Sequence, residues 1–139
     1  MGKELAVKGC TFKASINPGI ISANCSTSTT PSADVLVGGN GVFFDKITVT
    51  IPSGASVTLT SPPPSATSPS GQLMAPDTID ISGTADNVLS GGKKAVLKGD
   101  NGTKTVTFTF PGPQGTQVPY DVSVKVEVDN PGQTDVIAL

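Results

Sequence analysis

Two stretches of this 139-residue chain follow one plan. Ala33-Asp34-Val35-Leu36-Val37-Gly38-Gly39 leads through an apolar run into Ile47-Thr48-Val49-Thr50-Ile51. Ala85-Asp86-Asn87-Val88-Leu89-Ser90-Gly91-Gly92 leads through Lys94-Ala95-Val96-Leu97 into Val106-Thr107-Phe108-Thr109-Phe110. Each reads as strand, double-glycine turn, strand, turn, strand. A repeat dictates architecture, because each copy must bury its apolar face against its neighbours. Adjacent glycines supply the positive φ angles that primed hairpin turns need. The plan therefore restricts the chain to a domain assembled from hairpin units, which serves as scaffold or docking surface more readily than as a catalytic pocket. A fainter third copy is visible at the start, where Ala6-Val7-Lys8-Gly9-Cys10 resembles Val96-Leu97-Lys98-Gly99-Asp100.

The remaining segments speak the same language. Leu5 to Ile16 is strand-like with a turn at Gly9, and Asn17-Pro18-Gly19 is a turn signal before the short apolar strand at Ile20-Ile21. Cys25 to Ser32 reads as a Ser/Thr-rich loop. Ile47, Val49 and Ile51 alternate with threonines, the period of a half-buried strand. Val57 to Thr60 continues it or adds another, and Ile79 and Ile81 alternate with Asp80 and Ser82. Gly99-Asp100-Asn101-Gly102 reads as the turn of a further hairpin. Val118 to Val128 is the longest alternation, and Asn130-Pro131-Gly132 turns into a last short strand over Asp135 to Leu139. Between these, residues 61–76 carry Pro62-Pro63-Pro64, Pro69 and Ser70-Gly71 and read as a Pro/Ser-rich loop with polyproline II character. No segment has a capped 3.6-residue period. The expected fold is all-β: a single compact domain over 1–139, made of short β-hairpins in pseudo-repeat units, with little or no helix.

Composition removes whole classes of function. Charged residues make up 14% of the chain, the net charge is -2, and all nine basic residues are lysines scattered along it. Without arginine or a basic patch, nucleic acid is not an expected partner. There is no histidine, the usual base near neutral pH and the commonest metal ligand, so a serine or cysteine nucleophile has no imidazole partner. No apolar segment reads as a signal peptide or reaches the length of a membrane helix, so synthesis in the cytoplasm is expected.

The remaining candidates for chemistry are few. Cys10 and Cys25 admit three readings: free, partly buried thiols; a disulfide, which cytoplasmic synthesis disfavours; or half of a metal site lacking the zinc spacings. Asp77 with Asp80, and Asp34 with Asp86 at matching places in the repeat, could be paired carboxylates. No calcium-loop spacing accompanies them, and Tyr120 and five Phe form no sugar platform. They read as turn residues bonding their own backbone. The loops Gly38-Gly39-Asn40-Gly41 and Gly99-Asp100-Asn101-Gly102 lack the Gly-Lys-Ser/Thr and following helix of a phosphate cradle. No catalytic, cofactor-binding or metal-ligating residue is assigned, and no enzyme activity is expected.

Val88 to Asp100 resembles the V-x-x-x-G-K-P-A-A-x-x-G-D strand-turn-strand of PAAR and PAAR-like proteins. Val35-Leu36-Val37-Gly38-Gly39-Asn40-Gly41-Val42-Phe43-Phe44-Asp45 is similar in a looser form. Ala6-Val7-Lys8-Gly9-Cys10-Thr11 resembles the opening strand of such chains. The likeness covers roughly the first half and residues 85–110; the Pro-rich loop and residues 118–139 lie outside it. It implies a cone-like, PAAR-type cap on the end of a trimeric β-helical spike in a contractile injection apparatus: a type VI secretion system, an extracellular injection particle or a phage tail. The implied partner is a trimeric spike protein (VgrG-like or phage spike), one chain per trimer, with transient contact with the target membrane and effector proteins as further partners. The implied location is an injection particle delivered outside the cell or into a target cell. Many relatives hold an apex metal through His and Cys; with no His here, no metal ligand and no cofactor carry over. The rival expectation is an immunoglobulin-like or adhesin-type β-sandwich, a binding module at a cell or particle surface. The Val118–Val128 strand and the Thr content support it.

Overall fold

The computed structural model describes residues 3–17, 19–134 and 136–138. The fold is all-β. In chain order the strands are β1 (Lys3–Glu4), β2 (Thr11–Ser15), β3 (Gly19–Ser22), β4 (Ser26–Thr27), β5 (Leu36–Val37), β6 (Asn40–Gly41), β7 (Lys46–Ile51) and β8 (Ser56–Leu59). There follow β9 (Ser70–Gln72), β10 (Asp77–Ser82), β11 (Leu89–Ser90), β12 (Lys93–Lys94), β13 (Asn101–Pro111), β14 (Gln117–Asn130) and β15 (Ile137–Ala138). A 3-10 turn, Pro113–Gly115, links β13 to β14.

The long strands form because their sequences alternate, and alternation places every second side chain on one face. Ile47, Val49 and Ile51 of β7 are fully buried, as are Val106, Phe108 and Phe110 of β13 and Val124 and Val126 of β14. Full burial of each such side chain stabilises the fold by about 1.5–3 kcal/mol. β13 and β14 pair antiparallel from Asn101↔Glu127 to Pro111↔Gln117. β2 lies on the far side of β14, from Lys125↔Ser15 to Asn130↔Thr11. β7 is sandwiched between β10 and β4. The two groups meet where β10 crosses β13: a Cβ on Gly102 would stand 1.9 Å from the Asp80 carbonyl oxygen, so only glycine allows that approach. The strands form a six-stranded sheet in the order β2-β14-β13-β9-β8-β3 and a three-stranded sheet in the order β10-β7-β4, and the approach of β10 to β13 brings the two into one nearly closed whole.

Three short stretches differ from their sequence reading. Ser26–Thr27, inside the Ser/Thr-rich run, is a strand: both residues pair with β7, and the Thr27 hydroxyl donates to the Thr48 carbonyl at 2.7 Å. Ser70–Gln72, within the 61–76 loop, is a strand between β8 and β13. No proline lies within it, so each residue keeps its N–H, and Pro69 contributes only its carbonyl, to Leu59 N–H at 2.9 Å. Gly71 lies beneath the Phe110 ring, where a Cβ would come within 2.8 Å. Gly99 to Gly102 closes no hairpin. Lys98 and Gly99 turn, and Asn101 and Gly102 already belong to β13, whose partner is β14. Of the Asn17-Pro18-Gly19 turn, Pro18 lies outside the described residues, as do Asp135 and Leu139 of the expected last strand.

Candidate functional site

Three tripeptides meet at one end of the strand ring: Leu5-Ala6-Val7, Val42-Phe43-Phe44 and Ala95-Val96-Leu97. Their end residues form isolated antiparallel bridges, Leu5↔Leu97, Val7↔Val42 and Phe44↔Ala95. The last residue of each tripeptide therefore faces the first residue of the next, in a closed cycle. The middle residues close a second cycle. Ala6 N–H donates to the Val96 carbonyl (2.8 Å), Val96 N–H to Phe43 (2.9 Å), and Phe43 N–H back to Ala6 (3.1 Å). A third cycle lies outside it: Lys8 N–H to Gly41 (2.8 Å), Asp45 N–H to Lys94 (2.8 Å) and Lys98 N–H to Glu4 (2.9 Å). Buried backbone groups must be paired. Here that need is met by pseudo-threefold closure rather than by a continuous ladder.

The tripeptides form a plate between two cores. Ala6, Phe43 and Val96 join the main core of long-strand side chains. Leu5, Val7, Val42, Ala95 and Leu97 join a second, smaller core with Ala85, covered by Val35, Val37, Phe44 and Val88. Each tripeptide is preceded by the second strand of a hairpin. For two of them this is the double-glycine hairpin of the repeat, Leu36↔Gly41 with Val37↔Asn40, and Leu89↔Lys94 with Ser90↔Lys93. Gly38 and Gly39 have φ of 58° and 85°, and Gly91 and Gly92 have 58° and 80°.

The third hairpin is divided between the two ends of the chain. β15 pairs with β1 as Ile137↔Glu4 and Ala138↔Lys3. Its closing hydrogen bond, Leu5 N–H to the Val136 carbonyl (3.3 Å), matches Val42 N–H to Val35 (2.9 Å) and Ala95 N–H to Val88 (3.0 Å). The third copy of the repeat therefore consists of Val136-Ile137-Ala138 followed by Lys3-Glu4-Leu5-Ala6-Val7. Linear reading found only its second half. Reading the sequence as a circle brings Val136-Ile137 into line with Val35-Leu36 and Val88-Leu89.

This alignment exposes the site. Leu36, Leu89 and Ile137 occupy the same position in the three hairpins and are 53%, 53% and 51% exposed. Their neighbours Val35, Val37 and Val88 turn the other way, onto the small core. A lone exposed leucine needs no explanation. Three large apolar side chains at equivalent points around a pseudo-threefold centre form a pattern, with Val136, 40% exposed, beside the third. Charged residues flank two of them: Lys94 stands across from Leu89 and Glu4 across from Ile137. Lys94 meets Asp86 at 2.8 Å, which holds the Asp86 carboxyl below the usual carboxylate range.

The residues singled out for chemistry do not converge. Asp77 is bound by Lys104 (2.7 Å), and Asp80 by the Thr48 hydroxyl (2.8 Å) and Lys46 (3.6 Å). Asp34 is exposed; its N–H and that of Val35 both donate to the Ser32 hydroxyl. Tyr120 meets Phe110 edge-on at 6.2 Å. Cys10 and Cys25 are half-buried free thiols lining one cleft between β2 and β4. Burial pushes the Cys10 thiol up to about 11, against a smaller downward pull from a backbone hydrogen bond. Burial also raises Cys25. Among the described residues, no three His, Cys, Asp or Glu side chains gather as they would around a metal ion. No protein-family model, curated protein or solved structure matches the chain.

Proposed function

We propose that this protein is a non-enzymatic, PAAR-like tip that caps the end of a trimeric β-helical spike in a contractile injection apparatus. The observation that carries the reading is the recurrence of Leu36, Leu89 and Ile137 around a closed three-way backbone cycle. A threefold partner presents each of its surface features three times. A single asymmetric chain engages all three copies at once only if it repeats its own contact residue with the same symmetry. Three apolar anchors on rigid hairpins meet that requirement, and they sit beside strand ends that can add main-chain bonds to the open end of a β-helix. One chain then saturates one trimer. The hairpin end docks on the spike, and the opposite end faces the target membrane.

The test is co-purification with a trimeric spike encoded beside it, followed by mass measurement of the complex. One chain per three spike chains is expected, and any other ratio rejects the cap. Leu36→Asp, Leu89→Asp and Ile137→Asp should each weaken the complex about tenfold or more, since each removes one of three central apolar anchors. The triple variant should abolish the complex while leaving the thermal midpoint within a few degrees of the parent. Unchanged affinity in the triple variant would move the interface elsewhere.

A further inference from the structure

The three units meet at seams, and two of these are zipped. β7 of the second unit pairs with β10 of the third from Asp77↔Ile51 to Ser82↔Lys46. β13 of the third pairs with β14 of the first along its whole length. The corresponding seam between the first and second units is open. β2 pairs only with β14 and β4 only with β7, so among the described residues each turns an unpaired edge toward the other. A cleft of about 520 Å³ occupies the seam, with Cys10, Thr11 and Phe12 on one wall and Cys25, Thr27 and Thr29 on the other. Lys8 is the only charged residue lining it.

We propose that this seam accepts one extended segment of another polypeptide, uncharged and alternating apolar with small polar residues, as an added strand. Unpaired strand edges recruit strands, because their N–H and C=O groups stand ready in a row. Here two such edges face one cleft, where the other two seams show that pairing belongs. Each unit climbs to its hairpin on one strand and descends on another, so β2 and β4 run in opposite directions. A single inserted segment is therefore antiparallel to one and parallel to the other. β2 lines the cleft with Thr11 and Phe12 and β4 with Ser26 and Thr27, but only β2 continues beyond it, to Ser15, so β2 supplies the longer ladder; antiparallel pairing is the better geometry. Every second side chain of the guest points at Phe12 and the two cysteines, which favours apolar residues there. The lone lysine attracts no cationic guest.

The proposal is independent of the spike reading, and its test involves no spike. The probe is the capped peptide Ac-Ser-Val-Thr-Leu-Thr-NH2, a copy of residues 56–60 with the required alternation. At millimolar peptide, amide exchange at β2 and β4 edge positions should slow by about tenfold or more. The rest of the protein should be unchanged. The same peptide with proline in place of its central threonine lacks a ladder donor and should give no protection. Cys25→Phe, which fills the cleft, should abolish the effect; if that variant fails to fold, the proline control still decides. Four results would overturn the proposal: no slowing in the folded protein, equal slowing by the proline peptide, protection already present without peptide, or protection that tracks protein concentration through self-association.

Discussion

Asp100 shows how one side chain holds the plate in place. It is the buried acidic residue among the described ones. Its two oxygens accept the Leu97 N–H at 2.8 Å and the Thr84 hydroxyl at 2.5 Å. It thus ties the third tripeptide to the segment entering its own hairpin. Asp100→Ala leaves both donors unmet and should lower unfolding free energy by about 1–3 kcal/mol. Asp100→Asn, which keeps a carbonyl acceptor, should cost less; urea denaturation distinguishes the two. Ionisation gives a second residue-scale expectation. The folded Cys10 thiol titrates near 11 rather than 9.0. Its folded value is raised, so its contribution to stability is full below 9.0 and lost as pH rises through about 11. At pH 8 the folded thiol should therefore alkylate about a hundredfold more slowly than in the urea-unfolded chain, since the thiolate is the nucleophile. Asp77 behaves in the opposite sense. Its hydrogen bond with Lys104 lowers its pKa below 3.8, so that stabilisation is present above the ordinary carboxylate range and lost as pH falls through the folded value. Lys104→Met should flatten the fall of the urea midpoint between about pH 5 and pH 2. None of these partners is legible in sequence. Thr84 with Asp100 and Asp77 with Lys104 are separated by turns whose closure only the fold sets.

At the scale of elements, legibility followed length. β7, β10, β13 and β14 carry enough alternating residues for period two to stand out, and their apolar faces are the buried ones. β4 and β9 are two and three residues long, too short for any period; pairing from their neighbours makes them strands. The double-glycine turns were legible because the local chemistry is compulsory. Both central residues of each turn have positive φ, which L side chains reach at a cost of about 1–2 kcal/mol. Gly38→Asn should be nearly neutral and Gly38→Val destabilising by roughly that amount, as read by thermal melts. Gly102 has a different role, since its requirement comes from the neighbouring strand rather than from its own backbone angles. Gly102→Ala forces β10 away from β13 and should cost about 3 kcal/mol, the upper end of overpacking penalties, because the obstacle is backbone and cannot rotate away.

At the scale of the molecule, the ends of the chain complete the third unit. Ala138 and Lys3 are paired residues at the tip of a hairpin, in the places of Val37 and Asn40. A circular permutant that joins Ala138 to Lys3 through Gly-Gly, with new ends between Gly38 and Gly39, should fold to the same structure with a similar melting temperature. It exchanges one closed hairpin for another. A permutant that unfolds, or that loses the amide protection of Ala6, Phe43 and Val96, would show that the units are not equivalent. An opening between Val106 and Thr107, inside the strand that buries Val106, Phe108 and Phe110, should by contrast abolish folding.

The sequence by itself determined the long strands, the compulsory glycine turns and the repeated unit, because these follow from side-chain periodicity and from φ angles set within a few residues. It also excluded imidazole chemistry. Tertiary structure alone completed the third unit, of which the sequence showed only the half at Ala6 to Cys10, and decided the equivalence of Leu36, Leu89 and Ile137. It alone decided which seam stays open. Those facts depend on hydrogen bonds between residues far apart in the chain, and no local pattern encodes which distant backbone group will be met.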